Sequence, residues 1–392
     1  MRILFVNDHV RIGGKEKYID AIRKELKEAG HVTGLVHSVV DNDAPVGLNG
    51  IQFWVRGLAS LREFRPAIER LREVVDLFKP DVIHIHNNPP NHIVVNWLVR
   101  RFPVLRSVHD VEFVCPTRYY IRKDSGRQCD SACGTICFQA GCLSIARPRA
   151  VARLVRTRIN QRIYARGASL STQSEYVKSN LLAMRSRPEF VSVLPVFVDS
   201  VVTEDTPLPT ANHFVFSGRL NHWKGPDVAI EALSHVDSAT LEILGSGAML
   251  PQLQDLVRRL KLESRVRFSG FVEGSALVEK YTNAIAVVLP SRLPENCPMA
   301  VQDAMAAGRA VISTRTGGIP ALVDDGVTGL LVPPNDSRAV AAAMEQLMRD
   351  RASCETMGRN GRIKMSREEY QRGPHLKSLV ADYERAIRAF AH

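Results

Sequence analysis

A short stretch of the chain, residues 295–308, combines two carboxylates with the pattern of a capped helix; it reads ENCPMAVQDAMAAG. Pro298 fits the first helical turn, where a missing N–H costs nothing, and Gly308 fits the C-terminal cap. The N-terminus of such a helix offers free N–H groups and a positive dipole end to an anion. Glu295 precedes the helix and Asp303 lies within it, so either carboxylate could accept hydrogen bonds from hydroxyl groups beside that anion.

Cations and glycines occupy a loop that follows a predicted strand earlier in the chain. The segment FSGRLNHWKG places Arg219 and Lys224 beside Gly218 and a second glycine. The glycines allow close backbone approach, and the two cations can neutralise a diphosphate without a metal. LEILGSGAML adds Gly245 and Gly247, for which a tight structural turn is the simpler explanation.

The elements that must position these residues follow from alternating strand and helix patterns. RILFV (2–6), DVIHIHN (81–87) and PVLRSVHD (103–110) predict strands, and the pattern restarts at HFVFSG (213–218) after a polar, proline-containing segment at 201–212. Helices are predicted near Lys17–Ala29, Pro226–Leu233, Met249–Leu260 and His375–Ala391. This alternation predicts two doubly wound parallel sheets, with ligands beyond the carboxyl ends of the strands. A length of 392 residues also favours two domains.

Composition indicates a globular enzyme rather than a membrane-spanning or secreted protein. Hydrophobic residues make up 45% and charged residues 24% of the chain, both ordinary values for a globular enzyme. No apolar run reaches the ~18 residues needed to span a bilayer, and MRILFVND lacks the features of a secretory signal. We therefore expect a cytoplasmic protein with reduced cysteines.

The positive charge is concentrated in one region. The formal net charge is +11, and residues 100–166 hold fourteen Lys and Arg against four Asp and Glu, a local excess of +10. A solvated basic face, an anionic lipid surface, an anionic substrate and nucleic acid all remain open. Within this region, residues 146–166 predict a basic amphipathic helix that suits an anionic membrane interface, with a solvated or interdomain helix as the alternative.

Five of the seven cysteines form a cluster in the sequence: Cys115, Cys129, Cys133, Cys137 and Cys142. Four of the five could hold a tetrahedral structural zinc, although the three-residue spacings differ from the C-x2-C of ordinary zinc sites. Free thiols in a reduced cytosol are the alternative, and disulfides would need a more oxidising compartment.

The order of motifs between residues 214 and 336 is more specific than any single motif. Gly-Arg…Lys-Gly is followed by Gly-x-Gly, Pro-Ser…Pro-Glu-x7-acid, Ala-x-Gly-x-x-Val-Ile and Gly-Gly-Ile-Pro…Gly-x-Thr-Gly-x-Leu-Val-Pro. This order resembles the retaining glycosyltransferases of family 4, whose GT-B architecture comprises two Rossmann-like doubly wound α/β domains facing across a cleft. The first half resembles them more loosely through Gly13-Gly14-x-Glu16, DVIHIHN and SVHD. HD…CP followed by several cysteines is similar to one subgroup.

The resemblance implies a division of the chain. Residues 1–200 would form an acceptor-binding domain with a cysteine-rich insertion at about 115–145. Residues 201–375 would bind the nucleotide-sugar donor, and 376–392 would form a helix that packs back on the N-terminal domain.

The resemblance also implies residue roles. Arg219 and Lys224 would hold the donor diphosphate and stabilise it as it leaves, and Glu295 would bind hydroxyls of the transferred sugar. The second acid would bind the ribose; here it is Asp303, shorter by about one bond length, ~1.5 Å. Ala321 stands where the family commonly has an acidic residue. Catalytic roles are implied for His109, Arg219, Lys224 and Glu295, and donor contacts for Gly13, Gly14, Gly218, Arg219, Lys224, Gly245, Gly247, Glu295, Asn296, Cys297, Pro298, Met299 and Asp303.

The expected function is therefore transfer of a hexosyl or related sugar from a UDP- or GDP-sugar to a lipid-linked or saccharide acceptor, with retained anomeric configuration and no catalytic metal. The enzyme would act in the cytoplasm or peripherally at the inner face of the membrane. Three alternatives stay open: a sugar-nucleotide hydrolase or epimerase, a zinc-braced nucleic-acid-binding protein, and a non-catalytic sugar-nucleotide binder suggested by Asp303 and Ala321.

Overall fold

The computed structural model describes residues 1–7, 14–37, 51–55, 58, 63–86, 92–109, 115–117, 119–126, 128–129, 131, 133–183, 188–198 and 206–391. Contacts between residues divide the chain into two compact units. Unit 1 comprises Met1–Val196 with Gly373–His392, and unit 2 comprises Phe197–Arg372.

Within its described residues, unit 1 contains a seven-stranded parallel sheet. Its strands are β1 (Arg2–Val6), β2 (Val32–His37), β3 (Ile51–Trp54), β4 (Val82–Ile85), β5 (Val104–Val108), β6 (Ser169–Thr172) and β7 (Val191–Val193). Its helices are α1 (Gly14–Glu28), α2 (Phe64–Phe78), α3 (His92–Val99), α4 (Ile136–Gln139), α5 (Pro148–Gly167) and α6 (Glu175–Ala183). The strand order is β3-β2-β1-β4-β5-β6-β7.

Unit 2 contains a six-stranded parallel sheet within its described residues. Its strands are β8 (His213–Ser217), β9 (Thr240–Leu244), β10 (Val266–Gly270), β11 (Ala286–Leu289), β12 (Ala310–Thr314) and β13 (Gly329–Val332). The helices are α7 (Pro226–Leu233), α8 (Leu250–Arg259), α9 (Ser275–Thr282), α10 (Met299–Ala306), α11 (Ile319–Leu322), α12 (Ser337–Arg349) and α13 (Arg351–Met365). Helix α14 (Arg372–Phe390) follows and, from Gly373 onward, belongs to unit 1. The strand order is β10-β9-β8-β11-β12-β13.

Both strand orders confirm the predicted fold class. In each unit the order runs outward from the first strand and then reverses, as in a Rossmann-like doubly wound sheet. The central strands are apolar along their length because helices cover both faces; Phe214, Val215 and Phe216 of β8 are fully buried. The reversal places the loops after β8 and β11 side by side, which is where such folds bind ligands.

The C-terminal helix α14 packs into unit 1. The Tyr383 hydroxyl lies 2.7 Å from Nδ1 of His84 on β4, and the Tyr18 hydroxyl of α1 lies 2.8 Å from His375 Nε2. Tyr18 and Tyr383 are buried, so both hydroxyl groups require these partners. The end of the chain therefore supplies hydrogen-bonding groups to the interior of unit 1.

Candidate active site

The loops after β8 and β11 bring Lys224 and Glu295 together. Lys224 Nζ donates to Glu295 Oε1 at 2.8 Å, and Ser291 Oγ donates to the same oxygen at 2.8 Å. Both charged side chains are largely buried, with exposed fractions of 27% and 19%. Among the described residues no hydrogen bond reaches Oε2 of Glu295, so this oxygen can accept a hydrogen bond from a ligand hydroxyl.

The loop after β12 fixes the main chain at Glu295. Gly318 N donates to the Glu295 carbonyl at 2.7 Å, and Thr314 Oγ1 donates to the Ser291 carbonyl at 2.7 Å. Gly317 has a φ of +60°, and a Cβ there would lie 2.3 Å from the Glu295 carbonyl oxygen. Because only glycine tolerates both the left-handed conformation and this approach, the glycine pair after β12 sets the position of the carboxylate.

The turn that carries Lys224 is closed from both ends. The Asn221 Oδ1 atom accepts from the backbone N–H groups of Trp223 and Lys224, each at 3.1 Å. Gly225 follows with a φ of +69°, and a Cβ there would lie 2.3 Å from the Pro290 carbonyl oxygen. The lysine is thus positioned by a side-chain cap before it and by a close backbone contact after it.

Arg292 joins the two loops, a role that the sequence analysis missed. Its guanidinium donates to both carboxylate oxygens of Asp227 at 2.7 and 2.8 Å, and to the His222 carbonyl at 2.8 Å. Its Nε donates to Asn335 Oδ1 at 2.8 Å, and its backbone N–H donates to the Trp223 carbonyl at 2.8 Å. Arg292 and Asp227 flank the predicted motifs in the sequence, but nothing there pairs two residues 65 positions apart.

The predicted donor-binding glycines pack the loops against each other. A Cβ at Gly245 would lie 1.9 Å from the Gly218 carbonyl oxygen, and a Cβ at Gly247 would lie 2.3 Å from that of Leu220. Leu220 N also donates to Ser246 O at 2.9 Å. Close packing of the two loops therefore explains why glycine occupies positions 245 and 247. Arg219, between Gly218 and Leu220, is exposed.

Helix α10 begins one residue later than the sequence predicts. Pro298 is the N-cap, with an extended ψ of 110°, rather than a residue of the first turn, while Gly308 at φ +70° stands just beyond the C-cap as expected. Asn296 is buried, and Cys297 and Met299 are partly buried beside this terminus. Asp303 is partly buried. Burial raises the pKa of Tyr281, and the Asp303 carboxylate raises it further.

In unit 1, each ring nitrogen of His109 lies within hydrogen-bonding distance of another side chain. His109 Nε2 lies 2.9 Å from His86 Nδ1, and its Nδ1 lies 3.1 Å from Gln173 Nε2. Burial lowers the pKa of His109 to about 3, and the positive charges of Lys15 and Arg106 contribute smaller decreases to the same shift. The ring is therefore neutral near pH 7 and acts as a hydrogen-bonding group.

The other predicted residues of unit 1 have mixed outcomes. Gly14 begins α1, whereas Gly13 lies outside the described residues. His84 is fully buried and is hydrogen-bonded by Ser107 Oγ at 2.8 Å as well as by α14, so this histidine is packed in the interior.

The predicted zinc site at the five clustered cysteines is not found among the described residues. No disulfide joins any of them, and in the described part of the chain no group of three or more His, Cys, Asp or Glu side chains could hold a metal ion. Cys133 Sγ donates to Gln161 Oε1 at 3.4 Å, and Cys142 Sγ accepts from Lys123 N at 3.4 Å. Burial raises the pKa of Cys137 to about 11.

The basic segment forms α5, whose first half carries exposed arginines over buried Ala150 and Leu154. No helix in the described portion of the chain has both the length and the apolar character required to cross a bilayer.

Comparison with known proteins assigns a domain type to each half of the chain. A family model described as "Glycosyl transferase 4-like domain" matches residues 13–196, and one described as "Glycosyl transferases group 1" matches residues 204–364.

Relatives of known sequence and structure agree with these domain types. The putative colanic acid biosynthesis glycosyltransferase WcaL of Salmonella typhimurium is 30% identical over 225 residues, 53% of this chain and 54% of WcaL. The D-inositol 3-phosphate glycosyltransferase of Corynebacterium kroppenstedtii is 31% identical over 46% of this chain and 42% of its own length. The matches thus span about half the length of these curated relatives. The crystal structure of Anabaena Alr3699/HepE with UDP and glucose superposes with a TM-score of 0.76 at 19% identity, over 98% of this chain and all of HepE.

The two doubly wound sheets and this structural match define a two-domain protein of the GT-B fold. The residues matched by the 4-like model lie in unit 1, and those matched by the group 1 model lie in unit 2.

Proposed function

We propose that the chain transfers a hexosyl or related sugar from a UDP- or GDP-sugar to a saccharide or lipid-linked acceptor, with retention of anomeric configuration. The observation that carries this proposal is the Lys224–Glu295 pair at the strand-order reversal of unit 2, where three loops hold a cation and a carboxylate 2.8 Å apart. HepE, which shares the fold, binds UDP together with glucose in its crystal structure, which favours a uridine nucleotide.

The chemistry follows from where charge develops. As the glycosidic bond breaks, negative charge builds on the leaving diphosphate, and Lys224 and Arg219 supply positive charge there. Arg219 is exposed at the loop after β8 and can reach a ligand without unpacking the core. Glu295 accepts hydrogen bonds from hydroxyls of the transferred sugar through Oε2, while Oε1 keeps Lys224 in place.

Retention follows from attack on the face that the leaving group departs from, with the leaving phosphate taking the acceptor proton. This route needs no protein general base. The neutral imidazole of His109 is proposed to hydrogen-bond the substrate rather than to carry charge, since its pKa lies far below neutrality. Unit 2 is accordingly the donor-binding unit and unit 1 the acceptor-binding unit.

The acceptor is proposed to be presented at an anionic membrane surface on the cytoplasmic side. Helix α5 carries the exposed residues Arg153, Arg158 and Arg162, and basic surfaces of this kind bind anionic lipids. WcaL is named as an enzyme of colanic acid biosynthesis, which is consistent with a saccharide acceptor for this chain.

A panel of UDP- and GDP-sugars tests the proposal, with nucleotide release measured in the presence and absence of saccharide and lipid-linked acceptors. We expect release that depends on an acceptor, and Lys224→Met should abolish it, while the exposed Lys261→Met serves as the matched control. Release without any acceptor would indicate hydrolysis. Donor binding without turnover would indicate a binding protein, and either result contradicts the proposal.

A further inference from the structure

A cavity of about 220 Å3 lies in unit 1 at the start of α5, and none of its described lining residues is assigned to donor binding. Lys123, Arg147 and Arg153 line it, and none of the described lining residues is acidic. Its volume far exceeds the ~10–15 Å3 that one water molecule requires, yet it is smaller than the ~300–1,000 Å3 of pockets that take whole small-molecule ligands. The cavity thus has room for a small charged group.

The floor of the cavity is part of a packed cluster. Leu143 and Ala150 are buried and belong to a small apolar core together with Leu154 and Cys133. Leu143 N donates to the Cys137 carbonyl at 2.8 Å, which fixes the loop that enters α5. The apolar floor is therefore held by the fold, and the exposed side chains of the three lining cations stand around it.

The cations come from two separate segments of the chain that are joined beneath the cavity. Lys123 lies in a turn that is closed by a hydrogen bond from Gly126 N to the Arg122 carbonyl, at 2.9 Å. The backbone N–H of Lys123 donates to Cys142 Sγ at 3.4 Å. Arg147 is the N-cap of α5, and Arg153 lies in its second turn. The thiol of Cys142 thereby ties the lysine turn to the loop before α5.

The carboxylate that follows Lys123 in the sequence, that of Asp124, is already paired with a cation. Arg122 donates to both oxygens of Asp124, at 3.1 and 2.6 Å. These bonds lower the pKa of Asp124 to about 2, so its charge is balanced by Arg122 at neutral pH. Within the described residues, the side chains of the three lining cations form no ion pair or hydrogen bond.

We propose that this pocket binds the phosphoryl group of a phosphate or diphosphate monoester. Such a group carries about two negative charges at neutral pH, and guanidinium forks match its oxygens in a bidentate arrangement. The group can come from a soluble phosphorylated compound or from a lipid headgroup, and both present the same chemistry. The proposal stands independently of sugar transfer, because none of the lining residues is assigned to donor binding.

Calorimetric titration of the full chain with inorganic diphosphate, at constant ionic strength set by chloride, tests the pocket directly. Arg147→Gln and Arg153→Gln should each weaken binding about tenfold, as expected for the loss of one charge-assisted contact. Arg149→Gln is the matched control, because Arg149 is exposed on the same helix and does not line the cavity. Titrating Lys224→Met in parallel separates the proposed donor site, and this variant should keep the Arg147-dependent binding.

Vesicles identify the source of the phosphoryl group. Phosphatidylcholine vesicles that contain phosphatidic acid, a monoester, are compared with vesicles that contain phosphatidylglycerol, a diester, at matched surface potential. A preference for phosphatidic acid that disappears in Arg147→Gln and persists in Arg149→Gln supports the proposal with a lipid as the source. Binding of free diphosphate with the same variant pattern, and no vesicle preference, supports it with a soluble source.

Two outcomes would overturn the proposal. One is that neither diphosphate nor phosphatidic acid binds above the phosphatidylglycerol reference, while circular dichroism shows a folded protein. The other is that Arg149→Gln weakens diphosphate binding as much as Arg147→Gln, which would assign the affinity to the general charge of α5.

Discussion

The contact between Arg292 and Asp227 makes a sharp prediction about how Lys224 is positioned. Their side chains are 13% and 19% exposed, and two parallel N–H···O bonds join them at 2.7 and 2.8 Å. Removing one partner of a fully buried pair costs ~3–5 kcal/mol, and the partial exposure here reduces this to about 2–3 kcal/mol for Arg292→Met. Arg292 also donates to the His222 carbonyl and to Asn335, so its loss should cost more than Asp227→Asn, at about 1.5 kcal/mol.

A double-mutant cycle measures the coupling. Unfolding by urea, followed by tryptophan fluorescence to which Trp223 in the affected turn contributes, should give a coupling free energy of about 1–2 kcal/mol for the Arg292→Met and Asp227→Asn pair. The control is Arg258→Met, which removes an exposed ion pair with Asp255 and should cost less than ~1 kcal/mol.

The same variant should impair the site itself. Because Arg292 holds the turn before Lys224, its loss should lower the rate of sugar transfer by about tenfold to hundredfold, the effect expected for a misplacement of ~1 Å. Strictly additive free energies in the cycle, or full transfer activity in folded Arg292→Met, would refute the assignment of Arg292 as the residue that positions this turn.

Three further predictions concern other parts of the fold. Gly317→Ala should lower the rate of sugar transfer by at least about tenfold, because its Cβ would lie 2.3 Å from a carbonyl oxygen. Gly326→Ala is the control: its φ is +75° but the space around it is open, so it introduces backbone strain without a clash. Equal losses of transfer rate in the two variants would contradict the clash as the cause. The folded pKa of His109, about 3, lies below its ordinary 6.5, so the unfolded chain takes up the proton first. The free energy of unfolding should therefore decrease by up to ~1.4 kcal/mol per pH unit as the pH falls from 6.5 towards 3, and His109→Gln should reduce that slope in urea titrations while exposed His235→Gln should not. Asp303→Glu should keep or increase donor affinity measured by calorimetry, and a marked loss of affinity would contradict the proposed ribose contact.

The sequence predicts the strands and helices of unit 2 well because each is a local pattern. Helix α7 begins at Pro226 and ends at Leu233 as predicted, and β12 coincides with the apolar run AVIST. Parallel strands covered on both faces must be apolar throughout, and proline and glycine mark the ends of the helices. Such signals need no knowledge of distant residues.

The contacts that build the site are less predictable because they depend on strand order. Lys224 meets Glu295 since β8 lies beside β11 in the sheet, although 71 residues separate the two side chains. Arg292 and Asp227 pair for the same reason, and no local pattern identifies them. The loop packing at Gly245, where the Gly218 carbonyl leaves no room for a side chain, likewise appears only in three dimensions.

The cysteines show the limit of spacing as a signal. The clustering of five cysteines suggests a shared metal, although their spacing is not that of an ordinary zinc motif, yet Cys133 and Cys142 find separate partners at Gln161 and the Lys123 N–H. Interval counting predicts proximity along the chain, whereas a metal site requires four sulfur atoms directed at one point.

The role of the Glu295 carboxylate is tested by two measurements on Glu295→Gln: its rate of sugar transfer and its affinity for the nucleoside diphosphate. The substitution keeps the size of the side chain, removes its charge and so weakens the bond from Lys224 Nζ at 2.8 Å. We expect transfer to fall at least about hundredfold while diphosphate affinity stays within about tenfold, with exposed Glu263→Gln behaving as wild type. Transfer at the wild-type rate by folded Glu295→Gln would contradict the account.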